Sequence, residues 1–138
     1  MPIHCRSERI EFTPKNIAKL KRWINAVARK EKYTVEHLEY VFCNDAFLLK
    51  LNRQFLDHDT LTDIITFDYS QEKKISGEIY ISLPRVKENA KQFGIEFERE
   101  LHRVMIHGVL HLLGYRDKTK KEKEEIREME DRSLAMLQ

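Results

Sequence analysis

The residues best suited to chemistry lie in one short segment, His107–Asp117. His107 and His111 are four residues apart, so on an α-helix they share one face, with about 5–6 Å between their Cβ atoms. Two imidazoles in that arrangement can bind one metal ion from a single rigid element. Gly114 can adopt the left-handed conformation that ends a helix, and the chain can then turn back to bring Asp117 to the same ion. The segment predicts a metal centre held by His107, His111 and Asp117, as in a metal-dependent hydrolase.

The same spacing occurs in the long zinc motif of the metzincin proteases, which have a glutamate directly after the first histidine. That glutamate is the general base of the peptidase reaction. Here the position is Gly108, which has no group that could accept a proton. The sequence therefore keeps the ligand spacing and lacks the peptidase base.

The alternative interpretation is that both histidines are ordinary core residues of a buried helix. The helix is apolar nearly all round, as a central helix would be. Its apolar residues are Leu101, Val104, Met105, Ile106, Val109, Leu110, Leu112 and Leu113. However, unpaired buried polar groups cost about 1–3 kcal/mol each, and one shared metal would satisfy both rings.

Length and composition predict one domain over residues 1–138. The chain has 41% hydrophobic and 35% charged residues, with four glycines, three prolines and no linker-like or repeated segment. No apolar run resembles a signal peptide or a membrane span, so we expect a cytoplasmic protein without a membrane partner. Cys5 and Cys43 lack metal or redox spacing, which favours reduced structural thiols, Cys43 within a buried strand.

The charge distribution leaves nucleic-acid binding open. A net charge of +2 and a pI near 8.5 neither demand nor exclude such a partner. Basic side chains are dense in the first predicted helix and recur later, although a solvated helix face explains any single cluster equally well. Trp23 is more readily explained as core or flank packing than as a platform for base stacking. The later basic residues are Lys50, Arg53, Lys73, Lys74, Arg85, Lys87, Lys91, Arg99 and Arg103.

Hydrophobic periodicity and capping signals predict the order of the elements. Thr13-Pro14 indicates the start of a first helix, and Thr119–Glu122 is a capping box for the last one. The predicted elements are a helix over 14–32, a strand over 38–43, a helix capped by Asp45 and ending before Asp57, strands over 64–67 and 79–81, a helix from Ser82 to Gly94, a helix from about Phe97 that carries the histidines, and a last helix to about Met136. The order indicates an α+β domain with a small sheet.

The metal segment resembles the hallmark of the YbeY family of single-strand-specific metallo-endoribonucleases, H-G-x-L-H-L-x-G-Y-D-H. Two further blocks are similar to family patterns. Leu51-Asn52 followed by 59–67 resembles L-N…D-x-x-T-D-V-L-S-F, and Gly77–Ser82 resembles G-D-I-x-I-S. The three blocks occur in the family's order and span roughly residues 51 to 117.

Two positions depart from the family pattern. Asp117 stands where the family has its third histidine, and Arg116 stands where the family has aspartate. Aspartate is a competent oxygen ligand for zinc, so Asp117 remains the expected third ligand. The family also has an arginine implicated in activity where this chain has Leu56. Arg53, one helical turn earlier, is the candidate to replace that arginine.

The resemblance implies a single α+β domain with a small, mostly four-stranded mixed sheet, about five helices and a zincin-like helix that bears the metal ligands. It also implies one metal ion per chain, zinc with other divalent metals as alternatives, and cleavage of single-stranded RNA. The implied roles are in ribosomal RNA processing, namely maturation of the 3′ end of small-subunit 16S rRNA, and in ribosome quality control. The partners would be RNA and the ribosome, with no DNA expected.

Two questions about function remain open at this level. The nucleophile could be a metal-bound water or the ribose 2′-hydroxyl. A metal-stabilised, ribosome-associated binding module is the main alternative to an enzyme, and a metalloprotease is a weaker one. Structural zinc sites are normally closed by four protein ligands, often thiolates, whereas three ligands are visible here.

Overall fold

Four strands form one mixed sheet in the computed structural model, which describes residues 2–56 and 62–137. The strands are β1 (Ile3–Ser7), β2 (Thr34–Cys43), β3 (Ile64–Asp68) and β4 (Lys74–Ser82). They lie in the order β1-β2-β4-β3. Strands β1, β2 and β4 are parallel to one another, and β3 pairs with β4 in the antiparallel sense. The last pairing leaves β3 as an edge strand.

Five helices within the described residues pack around this sheet. They are α1 (Ile17–Lys30), α2 (Asp45–Phe55), α3 (Leu83–Phe93), α4 (Phe97–Leu112) and α5 (Lys120–Met136). Helix α2 covers one face of the sheet through a small core that includes Leu48, Ile65 and Tyr80. Helices α1, α3 and α4 contribute to the larger core on the other face, and α5 packs against α4. No helix in these ranges is long and apolar enough to cross a membrane.

This architecture confirms the expected α+β class, the four-stranded mixed sheet and the five helices. Strand β1 was not among the individually predicted elements. Its five residues alternate in burial, but only Ile3 is both strongly apolar and fully buried, so the period-two signal is weak. Trp23 is buried as expected for core packing, and its Nε1 donates to the carbonyl of Ser133 at 2.7 Å.

The predicted helix starts need two corrections. Helix α1 begins at Ile17 rather than near Pro14, because Pro14 is buried in the preceding loop and Asn16 has a left-handed backbone with φ of 56°. Asn44, not Asp45, caps α2, since its side chain accepts from the Phe47 amide at 2.9 Å. The capping box at the start of α5 is present as predicted.

Helix α4 lies unusually close to the sheet at Gly108. A Cβ atom at this position would lie 2.8 Å from Ile79 Cδ1 and 3.1 Å from Ile64 Cδ1. One turn earlier, the buried hydroxyl of Tyr40 donates to the Met105 carbonyl at 2.9 Å and joins the same helix to β2. Residue 108 thus faces the sheet, and a glutamate there would have no space. The absence of the peptidase base therefore follows from packing as well as from chemistry.

Gly108→Ala is expected to lower the free energy of unfolding by about 1–2 kcal/mol. Overpacking of a core costs about 1–3 kcal/mol, which exceeds the gain of about 1 kcal/mol in helix propensity. Urea denaturation measures the difference. Ile79→Val removes the methyl group nearest to the new Cβ, so it should recover part of the loss in the double variant. A stabilised Gly108→Ala protein would contradict the close approach.

Candidate metal centre

The turn that follows α4 determines where Asp117 lies. The amide of Gly114 donates to the His111 carbonyl and that of Tyr115 to the Leu110 carbonyl, both at 3.0 Å. Gly114 has a φ of 104°, a conformation that side-chain-bearing residues rarely adopt. The Tyr115 hydroxyl then donates to Glu31 Oε1 at 2.8 Å, which ties the turn to the end of α1. The chain is thereby redirected toward the histidines.

The three predicted ligand side chains converge, with one atom of each facing a common point. The Nε2 atoms of His107 and His111 are 3.0 Å apart. Asp117 Oδ2 lies 3.5 Å from Nε2 of His107 and 3.4 Å from Nε2 of His111. Ligands at zinc bond lengths of about 2.0–2.2 Å in a tetrahedral site are separated by about 3.3 Å. The triangle fits one face of such a tetrahedron, so this group could bind a metal ion.

The electrostatic setting favours a neutral imidazole at His111, and the neutral ring is the form that binds metal. Burial lowers the pKa of His111, and the nearby His107 lowers it further, against the opposing effect of Asp117. Asp117 is 42% exposed, compared with 17% for His107 and 28% for His111. The carboxylate therefore forms the solvent-facing side of the group.

A buried carboxylate orients His107 from behind. Glu130 Oε2 lies 2.5 Å from His107 Nδ1, so that ring nitrogen is occupied and Nε2 is directed to the common point. Burial alone would raise the pKa of Glu130, but its hydrogen bonds with His107 and Arg103 outweigh burial and the pKa is lowered. Carboxylate–histidine pairs of this kind fix the tautomer and raise the basicity of a metal-binding histidine.

Arg103 extends the arrangement into a buried chain of charges. It donates to Glu130 Oε1 at 2.9 Å and bonds both carboxylate oxygens of Glu100, at 2.9 and 2.6 Å. Glu100 is fully buried and Glu130 is 2% exposed. Each of these buried carboxylates therefore has a cationic or hydrogen-bonding partner, as its burial requires.

The ligand group opens onto a cleft of about 570 Å³ between β3, α4 and the turn after α4. The described residues that line it are Leu56, Thr62, Asp63, Ile64, Ile65, Thr66, Asp68, His107, His111, Leu112, Asp117 and Lys118. One wall is the edge of β3. The Ser82 amide donates to the Asp63 carbonyl, and the Tyr69 amide donates to the Ser76 carbonyl. In an antiparallel pair this pattern alternates, so the odd-numbered residues of β3 use their backbone groups to bond β4. The backbone groups of Thr66 and Asp68 accordingly point away from β4, at the free edge.

The family is settled by comparison with known proteins. A model described as endoribonuclease YbeY matches residues 2–138. The chain belongs to the YbeY family. The endoribonuclease YbeY of Cytophaga hutchinsonii is 52% identical over 130 residues, covering 94% of this chain and 91% of that protein. That of Bacteroides fragilis is 43% identical over 136 residues, covering 99% and 98%.

A solved structure extends the likeness to three dimensions. The solution structure of TM1509 from Thermotoga maritima has a TM-score of 0.69 and 32% identity, and the match covers 98% of this chain and 88% of that one. The expected family and enzyme class, an RNA-cleaving hydrolase, are confirmed by the family match. The YbeY-like fold is likewise confirmed.

The YbeY motif residues separate into those that reach the cleft and those that do not. Asp63 lines the cleft, and its carboxylate accepts from Asn89 Nδ2 at 3.2 Å. Burial raises its pKa, against the lowering effect of His107 and Arg103. Leu56, where the family has arginine, also lines the cleft. The part of the motif over 59–61 lies outside the described residues.

Arg53 and the two cysteines are not part of the ligand group. Arg53 is exposed in the last turn of α2 and is absent from the described lining of the cleft, so its catalytic role stays a prediction. Cys43 belongs to the core beneath α2, and Cys5 packs against the core on the other face. Burial raises the pKa of Cys43 to about 12 and that of Cys5 to about 11, which makes both poor ligands.

Sequence reasoning missed Glu130 and Lys118. The run of charged residues in α5 is typical of a solvated face, so it gives no direct sign that Glu130 is buried. Glu130 is four residues after Ile126 and three before Ser133, and all three are buried, so this stripe was the available signal. Lys118 supplies the ammonium group in the described lining of the cleft and forms no ion pair within the described ranges.

Glu130→Gln is expected to weaken zinc binding about 10- to 100-fold, because a neutral amide supports His107 less well than a carboxylate does. Competition with a chromogenic chelator measures the affinity. Glu128→Gln is the matched control, since Glu128 lies on the same helix in an exposed pair with Arg132. Equal affinities in the two variants would contradict the orienting role of Glu130. Unfolding of the metal-free proteins separates this effect from a general loss of stability.

Proposed function

We propose that this YbeY-family chain, as one domain over residues 1–138, is a zinc-dependent endoribonuclease that cleaves single-stranded RNA. Its substrate would be ribosomal RNA, in maturation of the 3′ end of small-subunit 16S rRNA and in ribosome quality control in the cytoplasm. The observation that carries the proposal is the triangle of ligand atoms from His107, His111 and Asp117 at the wall of an open cleft. A metal bound at such a site would supply phosphodiester chemistry of the kind that a family of endoribonucleases performs.

Each described residue of the site has a part in this proposal. His107, oriented by Glu130, together with His111 and Asp117, would hold the ion. A zinc ion bound there would polarise a phosphoryl oxygen and activate the attacking group. Lys118 places an ammonium group in the cleft, where it can contact a phosphate. Asp63, whose pKa is raised by burial, is available to exchange a proton.

The shape of the cleft supports a preference for single strands. Its volume of about 570 Å³ falls within the roughly 300–1,000 Å³ of pockets that hold drug-sized molecules, which corresponds to a nucleotide or two. A duplex keeps its bases stacked and paired, so it cannot insert single nucleotides between β3 and α4. Unstacked single strands can be recognised through their base faces and edges.

The two other functions have less support. A metalloprotease would need a base at position 108, and the space there is filled by Ile79 and Ile64. A purely structural zinc site would usually be closed by four protein ligands. Neither cysteine joins the ligand group among the described residues, and the three ligand atoms face a cleft rather than a packed core.

The purified protein is expected to contain one zinc ion per chain, and the double variant His107→Ala/His111→Ala is expected to contain none. Elemental analysis provides the measurement. His4→Ala/His37→Ala is a matched control, because it removes two exposed histidines from β1 and β2 and should leave the metal content unchanged. Undiminished zinc in the His107/His111 variant would overturn the assigned ligands.

The protein is expected to cut single-stranded RNA, to leave perfect duplex largely intact and to leave casein untouched. Cleavage should disappear with a chelator and return with added zinc, and binding should weaken with salt as phosphate contacts are screened. Gel analysis of labelled oligonucleotides provides the measurement. Peptide hydrolysis abolished by His111→Ala would overturn the assignment. Zinc-loaded protein that binds ribosomal RNA without cutting it would favour the binding module.

A further inference from the structure

Two aromatic side chains near the edge strand β3, on the face of the sheet that α2 partly covers, are exposed to an unusual degree. Phe55 is 59% exposed and Tyr69 is 58% exposed. Phe55 directly precedes Leu56, and Tyr69 directly follows Asp68, and both of these neighbours line the cleft. Isolated exposed aromatics are common on protein surfaces, but exposed apolar groups that lie close together more often mark binding sites.

Phe55 is held by a row of aromatic rings that leads away from the sheet core. Its ring lies 5.8 Å from that of Phe67 at an interplanar angle of 85°. Phe67 in turn packs edge-to-face on Tyr80 at 5.7 Å. An edge-to-face contact uses at most one face of the Phe55 ring, so the other face remains available to a flat ligand.

Tyr69 is fixed at both ends while its ring remains exposed. Its amide donates to the Ser76 carbonyl at 2.8 Å, and its hydroxyl donates to Glu78 Oε1 at 3.4 Å. Tyr69 follows Phe67 by two residues at the end of β3, so the two side chains project toward the same face of the sheet. Both exposed rings therefore border the face that α2 partly covers.

We propose that Phe55 and Tyr69 form a stacking subsite for nucleobases of the single-stranded RNA substrate, which rests on the proposed function. The subsite lies across the edge strand β3 from the metal cleft, which Leu56 and Asp68 line. Stacking on aromatic rings suits any base, because every base has a π-face, and it requires bases that are not stacked in a duplex.

The charges on the two sides of β3 favour an RNA orientation that agrees with this stacking subsite. The Glu78 carboxylate, which accepts from the Tyr69 hydroxyl, repels phosphate on the α2 side of β3, whereas Lys118 supplies an ammonium group to the cleft on the other side. A nucleic acid strand therefore places its backbone toward Lys118 and its bases toward Phe55 and Tyr69. This arrangement assigns a physical origin to single-strand preference, separate from the metal chemistry.

Three leucine variants test the subsite. Phe55→Leu and Tyr69→Leu keep an apolar side chain and remove the ring. Phe93→Leu is the matched control, since Phe93 is 55% exposed at the end of α3 and is not among the described residues of the cleft. Binding is measured by the anisotropy of a labelled RNA of about 12 nucleotides, with a chelator present to prevent cleavage. We expect at least about fivefold weaker binding for the first two variants and no change for the control.

A second series of oligonucleotides distinguishes stacking from an indirect structural effect. An RNA with 2-aminopurine at successive positions identifies the base whose fluorescence is quenched on binding, and an abasic nucleotide then replaces that base. The abasic RNA should bind the normal protein as weakly as the intact RNA binds the Phe55→Leu variant. The affinity of Phe55→Leu should be the same for the abasic RNA as for the intact RNA. Phe55→Trp should restore both binding and quenching.

Several outcomes would contradict the stacking subsite while leaving the proposed endoribonuclease function intact. One is cleavage and binding unchanged in Phe55→Leu and Tyr69→Leu. Another is an equal loss on intact and abasic RNA, which would assign the rings a structural role. A third is unchanged RNA binding with altered sedimentation, which would make this face a contact between copies of the chain. Failure of the unaltered protein to bind or cut RNA would instead reject the proposed function itself.

Discussion

The hydrogen bond between Glu130 and His107 is the interaction on which the site depends. It joins the last helix to the helix that carries both histidines, and it fixes which nitrogen of His107 faces the cleft. The carboxylate remains buried because Arg103, which also bonds Glu100, donates to its other oxygen. Removing one partner from such a buried set typically costs about 3–5 kcal/mol, since a charge is left uncompensated. Stability and ligand geometry are therefore properties of the same four side chains.

The site could be predicted from sequence where its geometry is local. His107 and His111 are related by one helical turn, and Asp117 follows a glycine-made turn, so a short segment specifies their approach. Glu130 and Lys118 escaped prediction for different reasons. Glu130 lies in a run of charged residues, and its burial depends on how α5 packs against α4. Lys118 becomes part of the site only because the turn places it beside β3.

The elements of the fold that could be predicted from sequence are likewise those with strong local signals. Helices with clear caps, such as α3 and α5, were predicted with nearly correct limits. The start of α1 was placed too early, because Pro14 is a favourable first helical residue in general but is buried in a loop here. Strand β1 was missed because its pairing with β2 is a long-range interaction that its own five residues signal only weakly. Strand direction was likewise decided by long-range packing rather than by local pattern.

The hydrogen bond between Tyr115 and Glu31 has a consequence for assembly of the metal centre. Two of the three ligand side chains are present as soon as α4 forms, but Asp117 depends on a turn that is tied to the end of α1, 84 residues earlier in the sequence. A partly folded chain with α1 undocked would offer only two imidazoles to an ion. Strong metal capture at the proposed site would therefore be coupled to completion of the fold, and occupancy by an ion would distinguish finished molecules from unfinished ones.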